Sequence, residues 1–512
     1  MTIFQNECVQ HWSGKLRLSD LQNSEGSPVT STGGMSDRTI VGLTCDSRQV
    51  EPGFLFAALP GSQIDGRVFI PDALDRGAIA VLAPDDTDPG LTSETVPLLT
   101  DPNPRRCYSL AAAQFYQRQP NTVMAITGTN GKTSVAGFAR QILSGLGHKS
   151  ASAGTLGVEL AGFGAESTPE LEASYNLTTP DSVDLHKSLA ELSSVGIDHL
   201  AIEASSHGLD QYRLDGIKIS AVAFTNLSRD HLDYHGSFEN YLEAKLRLFS
   251  ELVVDGGSVV VNADDMYADA FRSASQRRGL QLLSYGVQGQ ELALLNLVPL
   301  PDGQQVTVRV FGNVVDIKLP LVGAFQTANA LCALGLVLSL GENIEGAVSQ
   351  LATLEGIAGR LESVGPLTNG APVYVDYAHT PDALAHVLAA LRPHTKKNLS
   401  VVFGCGGDRD PGKRSEMGEV AGLLADKIII TDDNPRNENP GHIRAAAMAA
   451  CPQAIEIADR ATAIKTAIND LGSEDVLVIA GKGHERGQIV GDEVLPFDDR
   501  EVARKFITGE AL

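Results

Sequence analysis

Short apolar runs recur along the chain with the rhythm of strands alternating with helices. From Thr122 onward, Val123–Ile126, Leu200–Ile202, Val222–Phe224 and Val259–Val261 are unbroken apolar stretches, which predicts strands buried on both faces of a parallel sheet. Helix-length segments separate them, so this part of the chain is a doubly wound α/β unit. A hairpin is expected next, Val306–Val310 against Val314–Leu319 around Phe311-Gly312-Asn313, followed by a long apolar helix from about Gln326 to Leu340. After Gly356 the alternation restarts, with strands at Val373–Val375, Val401–Phe403, Ile428–Ile430, Ile455–Ile457 and Val476–Ile479. The first hundred or so residues mix short strands with turns, and the prolines of Asp101-Pro-Asn-Pro-Arg105 suggest a linker. The expected fold class is α/β in three domains: a small N-terminal α/β domain at 1–108, a central domain at 109–356 with a mostly parallel sheet, and a C-terminal Rossmann-like domain at 357–512.

Composition agrees with that count, because 512 residues exceed what one hydrophobic core usually supports. The formal net charge of −23 excludes a general binder of nucleic acid or anionic membrane, which would need basic stripes. Six scattered cysteines without a CxxC pair suit free thiols in a reducing compartment. The start, Met1-Thr-Ile-Phe-Gln-Asn-Glu, lacks the basic and apolar regions of a signal peptide, and the longest apolar stretch, about Ala328 to Leu340, is too short to span a bilayer. A soluble, cytoplasmic protein is expected.

The sharpest chemical signal follows the first central strand. Thr127-Gly-Thr-Asn-Gly-Lys-Thr-Ser134 leads into a helix with Val135, Phe138, Ala139, Ile142 and Leu143 on one face. Glycines let backbone N–H groups curl toward an anion, Lys132 can reach terminal phosphates, and the Thr133 hydroxyl can take Mg²⁺. The spacing is shorter than in the general phosphate loop, whose first glycine would fall at Ile126. Strand Leu200–Ile202 ends in Glu203-Ala-Ser-Ser-His-Gly208, and strand Val222–Phe224 in Thr225-Asn-Leu-Ser-Arg-Asp-His-Leu-Asp-Tyr-His235. Both follow strand ends, where α/β folds bind ligands. Between Phe238 and Phe249, Lys245 falls inside an apolar stripe formed by Phe238, Tyr241, Leu242 and Phe249. Such a lysine either lays its stem along the apolar face with its amine in water or has a chemical task.

The shortened Gly-Thr-Asn-Gly-Lys-Thr loop, with Glu203, His231 and Lys245 downstream, resembles the Mur ligase family, which includes folylpolyglutamate synthetases. The resemblance covers nearly the whole chain. It implies an ATP-dependent acid–amino-acid ligase with Mg²⁺, with Lys132, Glu203, His231 and Lys245 catalytic. The implied metal residues are Thr133, Glu203, His231 and Lys245, the lysine being carbamylated. Gly128, Thr129, Asn130, Gly131, Lys132, Thr133 and Ser134 are the implied ATP-binding residues, joined by Asn329 of Leu321-Val-Gly-Ala-Phe-Gln-Thr-Ala-Asn329 and by Arg360. Gln326 stands where the family usually has Asn. Tyr377 and His379 resemble residues that close over the nucleotide.

Other segments resemble the branch that adds the third residue to a UDP-N-acetylmuramoyl peptide. Asp46-Ser-Arg-Gln-Val-Glu-Pro-Gly53 and Gly61-Ser-Gln-Ile-Asp-Gly-Arg67 are similar to its uridine-nucleotide segments, implying roles for Cys45 and Ser47. Asn176-Leu-Thr-Thr-Pro180 and Ser205 through Arg213 are similar to those gripping UDP-N-acetylmuramoyl-L-Ala-D-Glu, with Thr178, Thr179, Ser205, Gln211 and Arg213 as contacts. Leu177 interrupts the usual Asn-Thr-Thr run. Gly404-Cys-Gly-Gly-Asp-Arg409, Asp433-Asn-Pro-Arg436 and Gly481-Lys-Gly-His-Glu485 all follow expected strands. Arg409, Asp433, Asn434, Pro435, Arg436, Gly481 and Glu485 are the implied contacts of meso-diaminopimelate, because two arginines can fork onto carboxylates and Glu485 can accept an ammonium. In the family, Asp-Asn-Pro-Arg goes with diaminopimelate, and versions without that arginine go with lysine. The rival expectations are the same ligase with L-lysine and, more remotely, a folylpolyglutamate synthetase or a non-catalytic nucleotide-binding module.

Overall fold

The computed structural model describes residues 15–21, 23, 25–27, 30–32, 38–61, 64–92, 95–163, 169 and 177–510. The chain divides into two compact units: Met1–Lys132, Gly147–Val261 and Tyr267–Leu282 form one, and Thr133–Leu146, Asn262–Met266 and Leu283–Leu512 the other. The architecture is the expected α/β one.

The first unit holds a two-stranded pairing of Leu16–Arg17 with Thr39–Ile40 and two larger sheets. In the N-terminal sheet the strand order is Thr30–Thr32, Leu98–Asp101, Ala80–Pro84, Phe54–Ala57, Gly42–Thr44, parallel except at the first pair. The expected linker at Asp101–Arg105 is instead the start of a helix, Pro104–Tyr116. Asn103 caps it by accepting a hydrogen bond from Arg106 N at 3.2 Å, with Pro104 in the first turn. Proline is tolerated there because its missing N–H would be unpaired anyway, which is why a break and a helix start look alike in sequence. The helix runs through residue 108 and buries Cys107, Tyr108, Ala111 and Phe115 in the N-terminal core.

In the larger sheet of this unit the order is Gly157–Ala161, Ser150–Gly154, His199–Glu203, Thr122–Thr127, Ile219–Phe224, Val253–Asn262. All neighbours are parallel except the outermost pair, Gly157–Ala161 and Ser150–Gly154. Val123, Met124, Ala125 and Ile126 are fully buried, as an unbroken apolar strand between two helical layers must be. Phe224 stacks on Phe271 with ring centroids 3.8 Å apart. A buried polar centre also ties elements together. Asp215 Oδ1 accepts from Arg106 Nε at 2.9 Å and Arg247 at 2.6 Å, while its carbonyl takes the Ser109 hydroxyl at 2.9 Å and meets His186 Nε2 at 3.0 Å.

In the second unit the strands Leu292–Leu300, Gly303–Val310 and Asn313–Leu319 form an antiparallel meander, followed by the helix Ala324–Ser339. The hairpin and the long helix therefore stand where expected. The C-terminal sheet has the order Glu362–Pro366, Pro372–Asp376, Val476–Ala480, Leu399–Phe403, Lys427–Ile430, Ile455–Glu456, antiparallel only at its first pair. The last strand, Val476–Ala480, inserts beside the second, so the loops after four parallel strands gather along one sheet edge. Among the described residues no helix is long and apolar enough to cross a membrane. Cys45, Cys107, Cys332, Cys405 and Cys451 are free thiols.

Candidate active site

The strand Thr122–Thr127 delivers the loop, and the helix Lys132–Gly145 begins inside it. Gly128 has φ +154°, and a Cβ there would lie 1.9 Å from Thr225 Oγ1, so the loop closes against its neighbour only with glycine at this position. That neighbour clamps the loop. Thr225 Oγ1 donates to Asn130 O at 2.6 Å, Asn226 Oδ1 accepts from Asn130 N at 2.9 Å, and Asn226 O accepts from Thr129 N at 2.9 Å. Thr129 Oγ1 also shares a 3.0 Å hydrogen bond with Tyr241 OH.

Two lysines meet on one carbonyl. Lys132 Nζ donates to Gly128 O and Thr129 O, both at 2.9 Å, and Lys245 Nζ donates to Gly128 O at 2.9 Å. Lys245 projects from the helix Phe238–Arg247, which Ser237 caps by accepting from Asn240 N, and it is 1% exposed. Its ammonium does not reach solvent, so the snorkelling alternative is excluded. Burial, then the charge of Lys132, hold its pKa well below the ordinary lysine value. The Tyr241 ring lies 4.6 Å from the amine.

Glu203 ends the strand His199–Glu203 and is 3% exposed. Its Oε1 accepts from Thr155 N at 2.8 Å and its Oε2 from Thr155 Oγ1 at 3.3 Å. Gly154 makes room for it, since a Cβ there would lie 2.2 Å from Oε1. His231 stands at φ +52° before a short helical turn, with its ring 4.9 Å from that of His207 and its side chain 48% exposed. A non-glycine residue in this region costs of order 1–3 kcal/mol, so the surrounding turn imposes the conformation.

The residues implied for the muramoyl peptide form a hydrogen-bonded chain that runs into Glu203. Thr178 Oγ1 meets Thr155 Oγ1 at 3.1 Å, and Thr179 Oγ1 donates to Glu203 O at 2.9 Å while accepting from Ser205 N at 3.0 Å. Arg213 donates to Thr179 O and to Gln211 Oε1, each at 2.7 Å, and Gln211 Nε2 donates to Tyr234 OH at 2.9 Å. Cys45 Sγ lies 3.7 Å from Asp181 Oδ2, and Ser47 is buried. Asn176 lies outside the described residues.

In the second unit, Asn329 Nδ2 donates to Gln326 Oε1 at 3.0 Å, and Gln326 Nε2 donates to Arg360 O at 3.1 Å. Gln326, standing where Asn is usual, thus connects Asn329 to the turn that carries Arg360. The Arg360 guanidinium lies 5.1 Å from the Tyr377 ring centroid, and Tyr377 neighbours the rings of His379 and His484. Burial and the Arg360 charge push His484 down to about 4.

Along the C-terminal sheet edge, Arg436 adopts φ +50° and donates to Gly407 O at 2.8 Å. Asn434 Nδ2 donates to Glu485 Oε2 at 2.9 Å. Gly481, at φ +116°, leaves space for Asp433, whose Oδ2 would lie 2.8 Å from a Cβ. Arg409 is exposed and bonded to Asp408 O at 3.2 Å. Asn434, Arg436, Gly481 and Glu485 come together, with Pro435 O against Gly407, while Arg409 stands on the outer loop. Thr155, Thr225, Asn226, His207 and Lys482 belong to these clusters and escaped the sequence reading. Each lies within a few residues of a strand end, which is the signal that could have found it.

Three family descriptions match the chain in order: Mur ligase family, catalytic domain at residues 39–116; Mur ligase middle domain at 126–337; and Mur ligase, glutamate ligase domain at 359–483. The chain belongs to the Mur ligase family. As a Mur ligase it is an ATP-dependent enzyme that joins an acid to an amino acid. It is similar to the UDP-N-acetylmuramoyl-L-alanyl-D-glutamate–2,6-diaminopimelate ligase of Caulobacter vibrioides, 51% identical over 94% of this chain and 97% of that protein. The ligase of the same name from Brucella melitensis is 50% identical over 91% of this chain and 93% of its own length. A solved structure of a ligase of this name superposes with a TM-score of 0.71 at 32% identity, covering 97% of this chain and 99% of that one.

Proposed function

We propose that this Mur ligase joins meso-2,6-diaminopimelate to the D-glutamyl γ-carboxylate of UDP-N-acetylmuramoyl-L-alanyl-D-glutamate, releasing ADP and phosphate, in the cytoplasm and as a monomer. The observation that carries this reading is the nearly full-length likeness to ligases of that name. The cluster of Arg436, Asn434 and Glu485 at the C-terminal sheet edge supports it chemically. A diamino diacid presents a second amino-acid head, for which Arg436 offers a fork to the carboxylate and Glu485 an acceptor for the ammonium. L-lysine carries no second carboxylate, so Arg436 would have nothing to hold. For the domain borders we take 1–108, 109–356 and 357–512.

The chemistry must bring two anions together, the γ-phosphate of ATP and the substrate carboxylate. Loop N–H groups and Lys132 supply positive potential at the phosphates. The γ-phosphoryl group passes to the carboxylate, the bond to ADP breaks, and the resulting acyl phosphate is attacked by the uncharged amine, expelling phosphate. Thr178, Thr179, Ser205, Gln211 and Arg213, together with Cys45 and Ser47, hold the UDP-muramoyl dipeptide with its reacting end toward Glu203.

For Mg²⁺ the donor set fits in part. Thr133 and Glu203 provide hard oxygens, and the pocket that Gly154 leaves for the Glu203 carboxylate keeps it at the strand end. His231 adds an imidazole. An ammonium at Lys245 does not suit a cation, whereas its carbamate would. A lysine amine depressed by burial is the neutral form that can add to CO₂, forming an N–C bond and losing a proton. Bound there, Mg²⁺ would neutralise phosphate charge as the carboxylate approaches. The test is phosphate release by purified protein with ATP, Mg²⁺ and UDP-muramoyl dipeptide, with either diaminopimelate or L-lysine. Release with diaminopimelate and a product of tripeptide mass is expected; equal or better release with lysine would overturn the substrate assignment.

A further inference from the structure

The turn after the strand Val476–Ala480 contains a cation with no water contact: the Lys482 side chain is 0% exposed. Its Nζ donates to Asn434 Oδ1 at 2.9 Å and to Glu485 Oε2 at 3.2 Å. Asn434 Nδ2 donates to the same Oε2 at 2.9 Å, and Asn434 Oδ1 also accepts from Ile489 N at 3.0 Å. These contacts converge on one oxygen of a carboxylate whose side chain is 33% exposed. The other oxygen, Oε1, takes part in none of these bonds.

The turn does not need an ammonium to hold its shape. Gly481 N donates to Asp376 O at 3.1 Å and Glu485 N to Lys482 O at 3.0 Å. Gly483 and Gly359 let the backbone close on its surroundings, since a Cβ on Gly483 would lie 2.7 Å from Tyr377 Cβ and one on Gly359 2.4 Å from His484 N. An apolar residue of lysine's length would fill the space without the desolvation that a buried charge entails. What lysine adds is a fixed charge beneath Glu485.

We propose that Lys482 is a positioning residue for the incoming diamino acid, holding Glu485 by one oxygen so that the other faces the substrate's non-reacting ammonium. The inference rests on the reading that Glu485 meets diaminopimelate. The reacting amine must be uncharged, so the ammonium that Glu485 meets is the one at the far end.

The test compares Lys482→Met with the unaltered full-length enzyme, using diaminopimelate and 2-aminopimelate, which keeps the far carboxylate but lacks the far ammonium. The KM for diaminopimelate should rise about tenfold or more, as for loss of a charged hydrogen bond. The KM values for ATP and UDP-muramoyl dipeptide should stay within about twofold, as should that for 2-aminopimelate, because none of these depends on Glu485. An unchanged diaminopimelate KM, a parallel rise in all KM values, or an equal loss with 2-aminopimelate would overturn the proposal. If Lys482→Met does not fold, Lys482→Arg carries the test, keeping the charge but moving the donors, with the same selective rise expected. Absence of diaminopimelate-dependent phosphate release from the unaltered enzyme would sink the functional reading itself, an outcome distinct from these.

Discussion

Lys245 and Lys482 are both sealed from solvent, 1% and 0% exposed, yet their surroundings differ in kind. Lys245 meets a backbone carbonyl that it shares with Lys132, and a tyrosine ring, so nothing offsets its charge fully and its pKa falls well below the ordinary value. Lys482 meets a carboxylate and a side-chain amide that the same carboxylate also engages. The first setting favours an uncharged, nucleophilic amine; the second supplies a counter-charge for an ammonium. The same residue type is thus held against backbone carbonyl at the phosphate loop and against a carboxylate at the C-terminal sheet edge.

The largest expected effect breaks the first half of that comparison. Lys245→Ala should lower kcat by on the order of 10³-fold, the range for loss of one preorganised electrostatic group. Stripping CO₂ should lower the activity of the unaltered enzyme, with recovery on adding bicarbonate, and leave the variant's residual rate untouched. A CO₂-insensitive enzyme would mean that Lys245 acts as an amine. Next in size, Arg436→Ala should raise the diaminopimelate KM by about 10- to 100-fold, the equivalent of 1.5–3 kcal/mol for a charged hydrogen bond, with the ATP KM unchanged. Equal effects on both substrates would remove Arg436 from the amino-acid site.

A stability measurement sharpens the contrast. A lysine with a folded pKa below its unfolded value favours the unfolded chain, fully at pH below the folded pKa and less as pH rises toward the ordinary lysine range. In CO₂-free buffer, Lys245→Met should therefore stabilise the protein, and above the depressed pKa the gain should shrink by about 1.4 kcal/mol per pH unit. Denaturant unfolding across pH reads it, and a gain that grows with pH would contradict the depressed pKa. The smallest effect concerns Gln326. Gln326→Ala should raise the ATP KM by about 2- to 10-fold, the range for one neutral hydrogen bond, because Asn329 and the Arg360 turn lose their connection.

Much of this was legible in the chain before any coordinates. Unbroken apolar runs located the buried strands, whereas the position of Lys245 inside an apolar stripe left snorkelling open until the structure showed its burial. The groups that escaped are those whose meaning is three-dimensional. Thr155 matters because a neighbouring strand places it on Glu203, and Thr225 because the next strand brings it onto the loop. No local period marks either. Lys482 sits inside a segment that was singled out, but a lysine between two glycines looks solvent-facing until Asn434 and Glu485 are seen around it. Pro104 misled for the opposite reason, since proline suits both a linker and a first helical turn.

In the proposed mechanism the substrate carboxylate is activated by phosphorylation so that the amine can displace phosphate. The most direct test uses UDP-muramoyl dipeptide with ¹⁸O in the glutamyl γ-carboxylate, turned over with ATP and diaminopimelate. Transfer through an acyl phosphate puts one ¹⁸O in each phosphate released and leaves one in the new amide. Unlabelled phosphate, with the displaced ¹⁸O found in water or in the nucleotide, would contradict it.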